Sequence, residues 1–104
     1  MPAAQSAEIL RIHISETDRL QGKPLYEAIV AQCRELQIAG ATVFRGLEGY
    51  GENAEMHKRP IVITIVDVAE NIRRLIPVVA GMIDTGLMAT STVQMIRVRK
   101  AETV

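Results

Sequence analysis

The chain has 104 residues, 48% of them hydrophobic, and its 12 basic and 12 acidic residues cancel to a net charge of zero. The length suits one domain with one core, and the balanced charge argues against non-specific binding to nucleic acid or to an anionic membrane surface. Cys33 is the single cysteine, so the chain has no internal disulfide and no CxxC motif, and we expect a buried structural thiol.

The first predicted strand covers residues 9–15. Apolar and polar residues alternate through it, which is the period expected of a strand with one buried face. The apolar set is Leu10, Ile12 and Ile14. The polar residues 16–23 that follow are expected to form a loop.

The first predicted helix covers residues 24–36. Pro24 lies in the first turn, where a helix tolerates proline best. Apolar residues then recur every three or four positions, as on the buried stripe of a helix. They are Leu25, Ile29, Cys33 and Leu36. The helix is expected to stop before Gly40, and residues 41–47 are expected to form a second strand.

Residues 61–66 predict a third strand. They are β-branched and, apart from Thr64, apolar, which favours a central strand buried on both faces. Asp67 ends this stretch, and Glu70 follows three positions later. This spacing resembles the capping box at the start of a helix.

The second predicted helix follows Asp67, because apolar residues recur with helical spacing from Val68 to Met82. Pro77 is expected to bend this helix, and Gly86 is expected to end it after Thr85. Valine, isoleucine and threonine are frequent in residues 92–99, which predicts a last strand.

The predicted order is strand, helix, strand, strand, helix, strand. This is the β-α-β-β-α-β arrangement of a single ferredoxin-like α+β domain, over residues 9–100, with a disordered N-terminus over residues 1–8 and a tail over residues 101–104. A small, aliphatic-rich domain can cover apolar surface with copies of itself, so we expect an oligomer. The fold hosts many functions, so the sites must decide among them.

A glycine-rich run follows the second strand. Gly46, Gly49 and Gly51 would let the backbone turn sharply or approach a ligand. The run lacks the lysine of a P-loop and the strand-to-helix setting of a dinucleotide fingerprint. A ligand cradle and a plain loop exit both remain open.

Arg97 and Arg99 alternate along the predicted last strand and would therefore share one face. Two guanidinium groups side by side suit a phosphate, although basic residues also protect edge strands from aggregation. Thr85 and Gly86 could offer a hydroxyl and free amides to an anion, or could form a helix cap and turn. His57, Lys58 and Arg59 lie in a polar loop that could close on an anion or remain a solvated charge run.

Other classes of function have weaker support. A small phosphatase of this fold would need an arginine loop after the first strand, where Arg19 is the candidate. A metal-tolerance module would need a cluster of ligands, but Cys33, His13 and His57 show no ligand spacing. An RNA-binding module would need stacking aromatics, which are scarce in this chain.

No stretch has the features of a signal peptide or a membrane span. Residues 1–7 contain neither a basic start nor an apolar run. The apolar residues 61–66 are far fewer than the roughly 20 that cross a bilayer. We expect a cytoplasmic protein that does not insert into membranes.

Three stretches strongly resemble the PII-like superfamily, in particular its branch of short PII-like proteins. They are SETDR at residues 15–19, GKPLYEAIV at residues 22–30 and AGATVFRGLEGYG at residues 39–51. The resemblance extends over about residues 9–99. It implies a ferredoxin-like homotrimer that binds a nucleotide in each cleft between subunits.

The resemblance also implies roles for individual residues. Thr42 matches a threonine that contacts adenine, and Val66 matches a residue whose backbone reads the adenine edge. Thr85 and Gly86 resemble the start of the phosphate-binding B-loop. The closing residues 95–99 resemble a segment whose two arginines, here Arg97 and Arg99, face phosphate. Gly49, Tyr50 and Gly51 resemble the base of the T-loop and would also contact the nucleotide.

The chain departs from the PII pattern in its loops. Residues 87–90 replace the second glycine pair and the lysine of the B-loop, which makes ADP or AMP as suitable as ATP. Only residues 52–59 stand in place of the T-loop, and none is a tyrosine that could be uridylylated. Asn53 replaces a glutamine that helps to hold magnesium and 2-oxoglutarate.

The resemblance therefore implies a regulatory protein that is not an enzyme, with no metal or resident cofactor. Carboxysome-associated members of the superfamily respond to bicarbonate, and the short T-loop could hold such an anion. The effector residues would be Glu52, Asn53, His57, Lys58 and Arg59. The loop would order when ligand binds and control an unidentified protein partner, such as a transporter or a protein of carbon metabolism.

Overall fold

The structure is a computed structural model that describes residues 3–50, 56–57 and 59–100. Its strands are β1 (Gln5–Ser15), β2 (Arg19–Leu20), β3 (Lys23–Pro24), β4 (Ala41–Arg45), β5 (Gly49–Tyr50), β6 (Met56–His57), β7 (Pro60–Asp67) and β8 (Leu87–Met95). Its helices are α1 (Leu25–Glu35) and α2 (Ala69–Ala80).

The main sheet has four antiparallel strands in the order β4-β7-β1-β8. The pairs β2–β3 and β5–β6 form separate two-stranded ribbons. With these ribbons set aside, the chain runs strand, helix, strand, strand, helix, strand. The predicted ferredoxin-like α+β fold is therefore confirmed.

The core lies between the helices and one face of the sheet. Alternate residues of β1 and β7 supply one side of this core, and the apolar stripes of the two helices supply the other. The fully buried side chains are all aliphatic: Leu10, Ile12, Ile29, Ile61, Ile63, Ile65, Ile72, Leu75 and Val79. Cys33 is buried among them, as expected. Burial of each large side chain contributes about 1.5–3 kcal/mol.

The third main strand, β7, differs from the prediction in its burial. Ile61, Ile63 and Ile65 are buried, but Val62 and Val66 on the other face are only half-buried. Both helices pack on one face of the sheet, so a single chain covers β7 on one side alone. The expectation of a strand buried on both faces is wrong for the isolated chain.

The first strand is longer than predicted. It begins at Gln5 rather than at residue 9, and residues 5–8 pair with the end of β8. The expectation that residues 1–8 are a disordered N-terminus is therefore wrong for residues 5–8. The first helix agrees with its prediction to within one residue, and Pro24 is its N-cap.

The second helix and the last strand both end earlier than predicted. Helix α2 ends at Ala80, with Gly81 as its C-cap, and does not reach Gly86. The next strand already begins at Leu87. The prediction placed the last strand at residues 92–99, which is about four residues too far along the chain. Pro77 lies inside α2, close to its C-terminal end.

Candidate functional site

One end of the main sheet carries three connections, and we call it the loop end. Ser15 at the end of β1 lies opposite Pro60 at the start of β7, and Leu87 at the start of β8 lies opposite His13. Because neighbouring strands are antiparallel, the connections that leave this end lie side by side. They are residues 16–24, 46–59 and 81–86.

The stem of the 46–59 connection is held by a close backbone approach. The Gly46 amide donates a hydrogen bond of 2.9 Å to the Pro60 carbonyl. A Cβ on Gly46 would lie 2.8 Å from Pro60 Cγ, so a larger residue at this position would force the Pro60 ring or the backbone to shift. Further out, Gly49–Tyr50 pairs with Met56–His57 as a short ribbon. The predicted effector and T-loop residues Gly51, Glu52, Asn53 and Lys58 lie outside the described residues.

Glu16 links the same stem to the connection between β1 and α1. Its carboxylate oxygen Oε1 lies 2.7 Å from Arg45 Nη2 at the end of β4. Its amide donates a hydrogen bond of 2.8 Å to the carbonyl of Arg59, just before β7. Both sides of the stem are therefore tied to residues 16–24. Arg59, predicted to be an effector residue, is exposed in this stem.

Thr85 and Gly86 lie at the loop end, in the turn before β8. A Cβ on Gly86 would lie 2.9 Å from the His13 carbonyl oxygen and 2.9 Å from Ile83 Cγ2. The glycine therefore serves close packing of the turn against β1, and the predicted helix-ending role is wrong. The exposed Thr85 lines a small polar cleft of about 110 Å³. The cleft residues are Asp18, Arg19, Leu25, Met82, Asp84 and Thr85.

Thr42 and Val66, the predicted adenine contacts, share the sheet face that carries no helix. Thr42 pairs with Thr64, two residues from Val66, so the two positions are diagonal neighbours across β4 and β7. Thr42 is exposed and Val66 is half-buried. One chain therefore already brings the two predicted base contacts together.

Arg97 and Arg99 do not lie in a strand. They follow Met95, the last residue of β8, and both are exposed. The prediction that they alternate on one face of the last strand is wrong, because β8 pairs with β1 only as far as Met95. This end of β8 is the opposite end of the sheet from Thr85.

Asp67 lies near Arg97, away from the loop end. Burial of the Asp67 carboxyl would by itself raise its pKa. Hydrogen bonds from the amides of Ala39 and Val68 and from the Asn71 side chain oppose burial, as does the positive charge of Arg97. The net result is a pKa below the ordinary value, so the carboxylate is ionised at neutral pH. The Asp67–Glu70 capping box does not form, because Val68 is the N-cap and no side chain caps α2.

The sheet face opposite the helices is uncovered in the single chain, and we call it the open face. Phe44 and Leu87 lie on it and are 54% and 56% exposed, respectively. The half-buried Val62, Val66 and Val93 add apolar surface to it. Exposed apolar side chains grouped on one face can mark a contact with another protein, a membrane or a ligand.

Sequence reasoning missed two parts of this arrangement. It did not identify Phe44 as an exposed apolar residue, although the alternation within β4 places that residue opposite the core-facing Val43. It also did not connect Asp18 and Arg19 with Thr85, since no local pattern links positions so far apart in the chain. Only the tertiary structure brings them to one cleft.

The described residues contain neither a metal-binding cluster nor a helix that could span a membrane. Residues 3–50, 56–57 and 59–100 contain no group of three or more His, Cys, Asp or Glu side chains that could hold a metal ion. Within the same residues, no helix is long and apolar enough to cross a membrane.

Comparison with known proteins identifies a family. The profile of the DUF190 family, described as "Uncharacterized ACR, COG1993", matches residues 7–95. A UPF0166 protein of Aquifex aeolicus is 34% identical over 98 residues, which cover 86% of this chain and 92% of that protein.

Solved structures with the same fold include PII-like proteins. CPII of Thiomonas intermedia K12, a nitrogen regulatory PII-like protein bound to ADP, AMP and bicarbonate, superposes with a TM-score of 0.73 at 16% identity. The match covers 89% of this chain and 98% of CPII. The divalent ion tolerance protein CutA1 of Ehrlichia chaffeensis superposes with a TM-score of 0.62 at 14% identity, over 92% of this chain and 85% of CutA1. The predicted PII-like fold is confirmed.

Proposed function

From the premise that this chain belongs to the DUF190 family and has the PII-like fold, we propose that it is a regulatory protein that binds an adenine nucleotide between the subunits of a homotrimer. Thr42 and Val66 would contact the base. Thr85, Gly86, Arg97 and Arg99 would contact the phosphates. ADP and AMP are the first candidates, because they are bound in the PII-like protein CPII.

The main support for this proposal is the distance between the two groups of proposed phosphate contacts. Thr85 lies just before β8, and Arg97 lies just after it. Nine strand residues at about 3.3 Å each place roughly 30 Å between the two ends of β8. A phosphate group is far smaller than this distance. One chain therefore cannot offer both groups to the same phosphates, but neighbouring subunits could.

The open face supports the homotrimer. A small domain gains stability by covering exposed apolar sheet with copies of itself. Phe44 and Leu87 are exposed on this face, and Val62 and Val66 are only half-buried. Thr42 and Val66 lie on the same face, so a subunit packed there would also border the proposed base contacts.

The 46–59 connection would carry the signal to a partner protein. Its stem is tied to residues 16–24 through Glu16. Asp18 and Arg19 of that connection in turn line the cleft at Thr85. Residues 52–59 include Lys58 and Arg59, which could hold bicarbonate or another small anion. A transporter or a protein of carbon metabolism would be the partner, in the cytoplasm, and the protein would act by binding alone, without catalysis.

Calorimetric titration tests the ligand. ADP, AMP, ATP and cyclic AMP would be titrated with and without bicarbonate, on protein whose mass is measured by light scattering. A trimer that binds one of these nucleotides at micromolar strength supports the proposal. A trimer that binds none, or a stable monomer, contradicts it. Release of phosphate from the bound nucleotide at a catalytic rate would contradict the non-enzymatic role.

Mixed trimers test the position of the site. One variant carries Arg97→Ala with Arg99→Ala, and the other carries Thr85→Asp, which places a carboxylate against the phosphates. Each variant alone should bind ADP weakly, since every charge-assisted contact contributes roughly 1.5–3 kcal/mol. A mixed trimer contains one boundary at which both groups are intact. Recovered binding after mixing supports a site between subunits, whereas no recovery contradicts it.

A further inference from the structure

The connection between β1 and α1 lies against the turn that contains Thr85. Asp18, Arg19 and Leu25 line one side of the polar cleft, and Met82, Asp84 and Thr85 line the other. The cleft volume of about 110 Å³ suits a group of a few heavy atoms. Residues 16–24 are thus placed to contact anything that binds at Thr85.

Backbone and side-chain hydrogen bonds fix the position of this connection. The Ser15 amide donates to Asp18 Oδ2 at 2.9 Å, and the Asp18 amide donates to the Ser15 carbonyl at 3.1 Å. The Leu25 amide donates to the Asp18 carbonyl at 2.9 Å. Arg19 and Pro24 are paired across the β2–β3 ribbon. The backbone at Arg19 is therefore held from both sides.

The Arg19 guanidinium is held at one nitrogen. Its Nη1 donates to the carbonyl oxygens of Glu16 at 3.1 Å and Asp18 at 3.2 Å. A guanidinium has five N–H donors, so Nε and Nη2 keep three that have no partner among the described residues. No described carboxylate forms an ion pair with this side chain within 4.0 Å, and the nearby Glu16 pairs with Arg45 instead. The free edge has the geometry that binds two phosphate oxygens at once.

We propose that Arg19 binds a phosphate group of the nucleotide at Thr85 and so supplies the positive charge that the B-loop of this chain lacks. This inference rests on the proposed nucleotide site. Two short N–H···O bonds to a phosphate act at contact distance. They outweigh the repulsion from the exposed Asp84 carboxylate, which water weakens without removing it.

The acidic residues of the cleft set its preference among nucleotides. Asp18 is partly engaged by the Ser15 amide, but Asp84 accepts no hydrogen bond from a described side chain or backbone group. Each phosphate added to the ligand increases its repulsion from Asp84. The cleft therefore favours the less charged AMP and ADP over ATP, and Asp84→Asn should reduce this preference.

Calorimetry with a matched control tests the assignment. Arg19→Ala should weaken ADP binding about 10-fold to 100-fold, as expected for the loss of a charge-assisted contact. Arg73→Ala, which removes an exposed arginine from α2, should leave ADP affinity unchanged. Adenosine has no phosphate, so the Arg19 variant should bind it as the unchanged protein does. This adenosine result also shows that the variant is folded.

The outcomes separate this inference from the proposed function. If ADP binds to both the unchanged protein and Arg19→Ala with equal strength, the role of Arg19 is overturned and the nucleotide site stands. If no nucleotide binds, pyrophosphate is titrated instead. Pyrophosphate binding that is weakened by Arg19→Ala would support the phosphate contact of Arg19 and contradict the proposed nucleotide function. No binding of nucleotide or pyrophosphate overturns both.

Discussion

Asp67 and Ala39 are 28 positions apart in the chain and are joined by a hydrogen bond of 2.9 Å from the Ala39 amide to Asp67 Oδ2. The same carboxylate accepts hydrogen bonds from the Val68 amide at 2.7 Å and the Asn71 side chain at 3.0 Å. One buried carboxylate therefore fixes the segment before β4 to the start of α2. It lies beside Val66, a proposed base contact.

The first prediction concerns the pH dependence of stability. Asp67→Asn should lower the free energy of unfolding at pH 7 by about 2 kcal/mol, because an amide group cannot accept all three hydrogen bonds. The folded-state pKa of Asp67 is lowered, so its stabilisation is present above the unfolded pKa of about 3.9 and is lost as pH falls through the folded value. The difference in free energy of unfolding between the variant and the unchanged protein should therefore shrink below about pH 4.

Urea unfolding of both proteins between neutral and acidic pH would measure this difference. Arg73→Ala serves as a control, because it changes a charge on the exposed surface of α2 and leaves the Asp67 hydrogen bonds intact. If Asp67→Asn lowers the free energy of unfolding by the same amount at every pH, the carboxylate charge is not the source of the stabilisation.

The second prediction compares Gly86 with Gly40, which differ in the space available for a side chain. Gly86→Ala should destabilise the fold by about 1–3 kcal/mol, since its Cβ would meet the His13 carbonyl oxygen and Ile83 Cγ2, each at 2.9 Å. Gly40→Ala should be neutral or stabilising by up to about 1 kcal/mol, because it has open space and no positive φ. Urea denaturation of both variants checks the pair, and equal effects would contradict this account.

The third prediction concerns the reactivity of Cys33. Burial raises the pKa of its thiol above the ordinary value, so the reactive thiolate is scarce even in mildly alkaline buffer. A chromogenic disulfide reagent should label the native protein slowly at pH 8 and the urea-unfolded protein rapidly. Rapid labelling of the folded protein would mean that this thiol is accessible, in conflict with its 3% exposure.

The fourth prediction tests the open face. Phe44→Lys should shift the proposed trimer towards monomer, because it places a charge in the apolar surface that subunits would share. Val78→Lys changes a large exposed residue on α2, outside that face, and should leave the mass unchanged. Light scattering over a range of concentrations measures both. A trimer that is equally stable in the Phe44 variant would place the subunit contacts elsewhere.

Local sequence patterns predicted the elements well where burial is periodic. The alternation of Leu10, Ile12 and Ile14 identified β1, and the spacing of Leu25, Ile29 and Cys33 identified α1, because each pattern reflects a single buried face. The end of α2 was wrong because Gly86 was interpreted as a local helix signal. Its actual constraint is the approach of β1, which is distant in sequence.

The proposed site residues were selected one by one from the sequence, but their arrangement in space was not predicted. Resemblance selected Thr42, Val66, Thr85 and the two arginines, and the pairing of β4 with β7 does bring Thr42 close to Val66. The sequence could not show that Arg97 follows the end of β8, since strand limits depend on which residues of the partner strand are available. It also could not place Arg19 beside Thr85.

The sequence by itself determined the order of elements, the aliphatic core and the family, because these depend on residue type and local spacing. Only the tertiary structure decided which residues meet. The register of β8 against β1 puts Thr85 and Arg97 at opposite ends of the sheet, and the fold brings Arg19 to the Thr85 turn. Strand pairing depends on packing and backbone hydrogen bonds between residues that are far apart in the chain, so a short stretch of sequence cannot predict it.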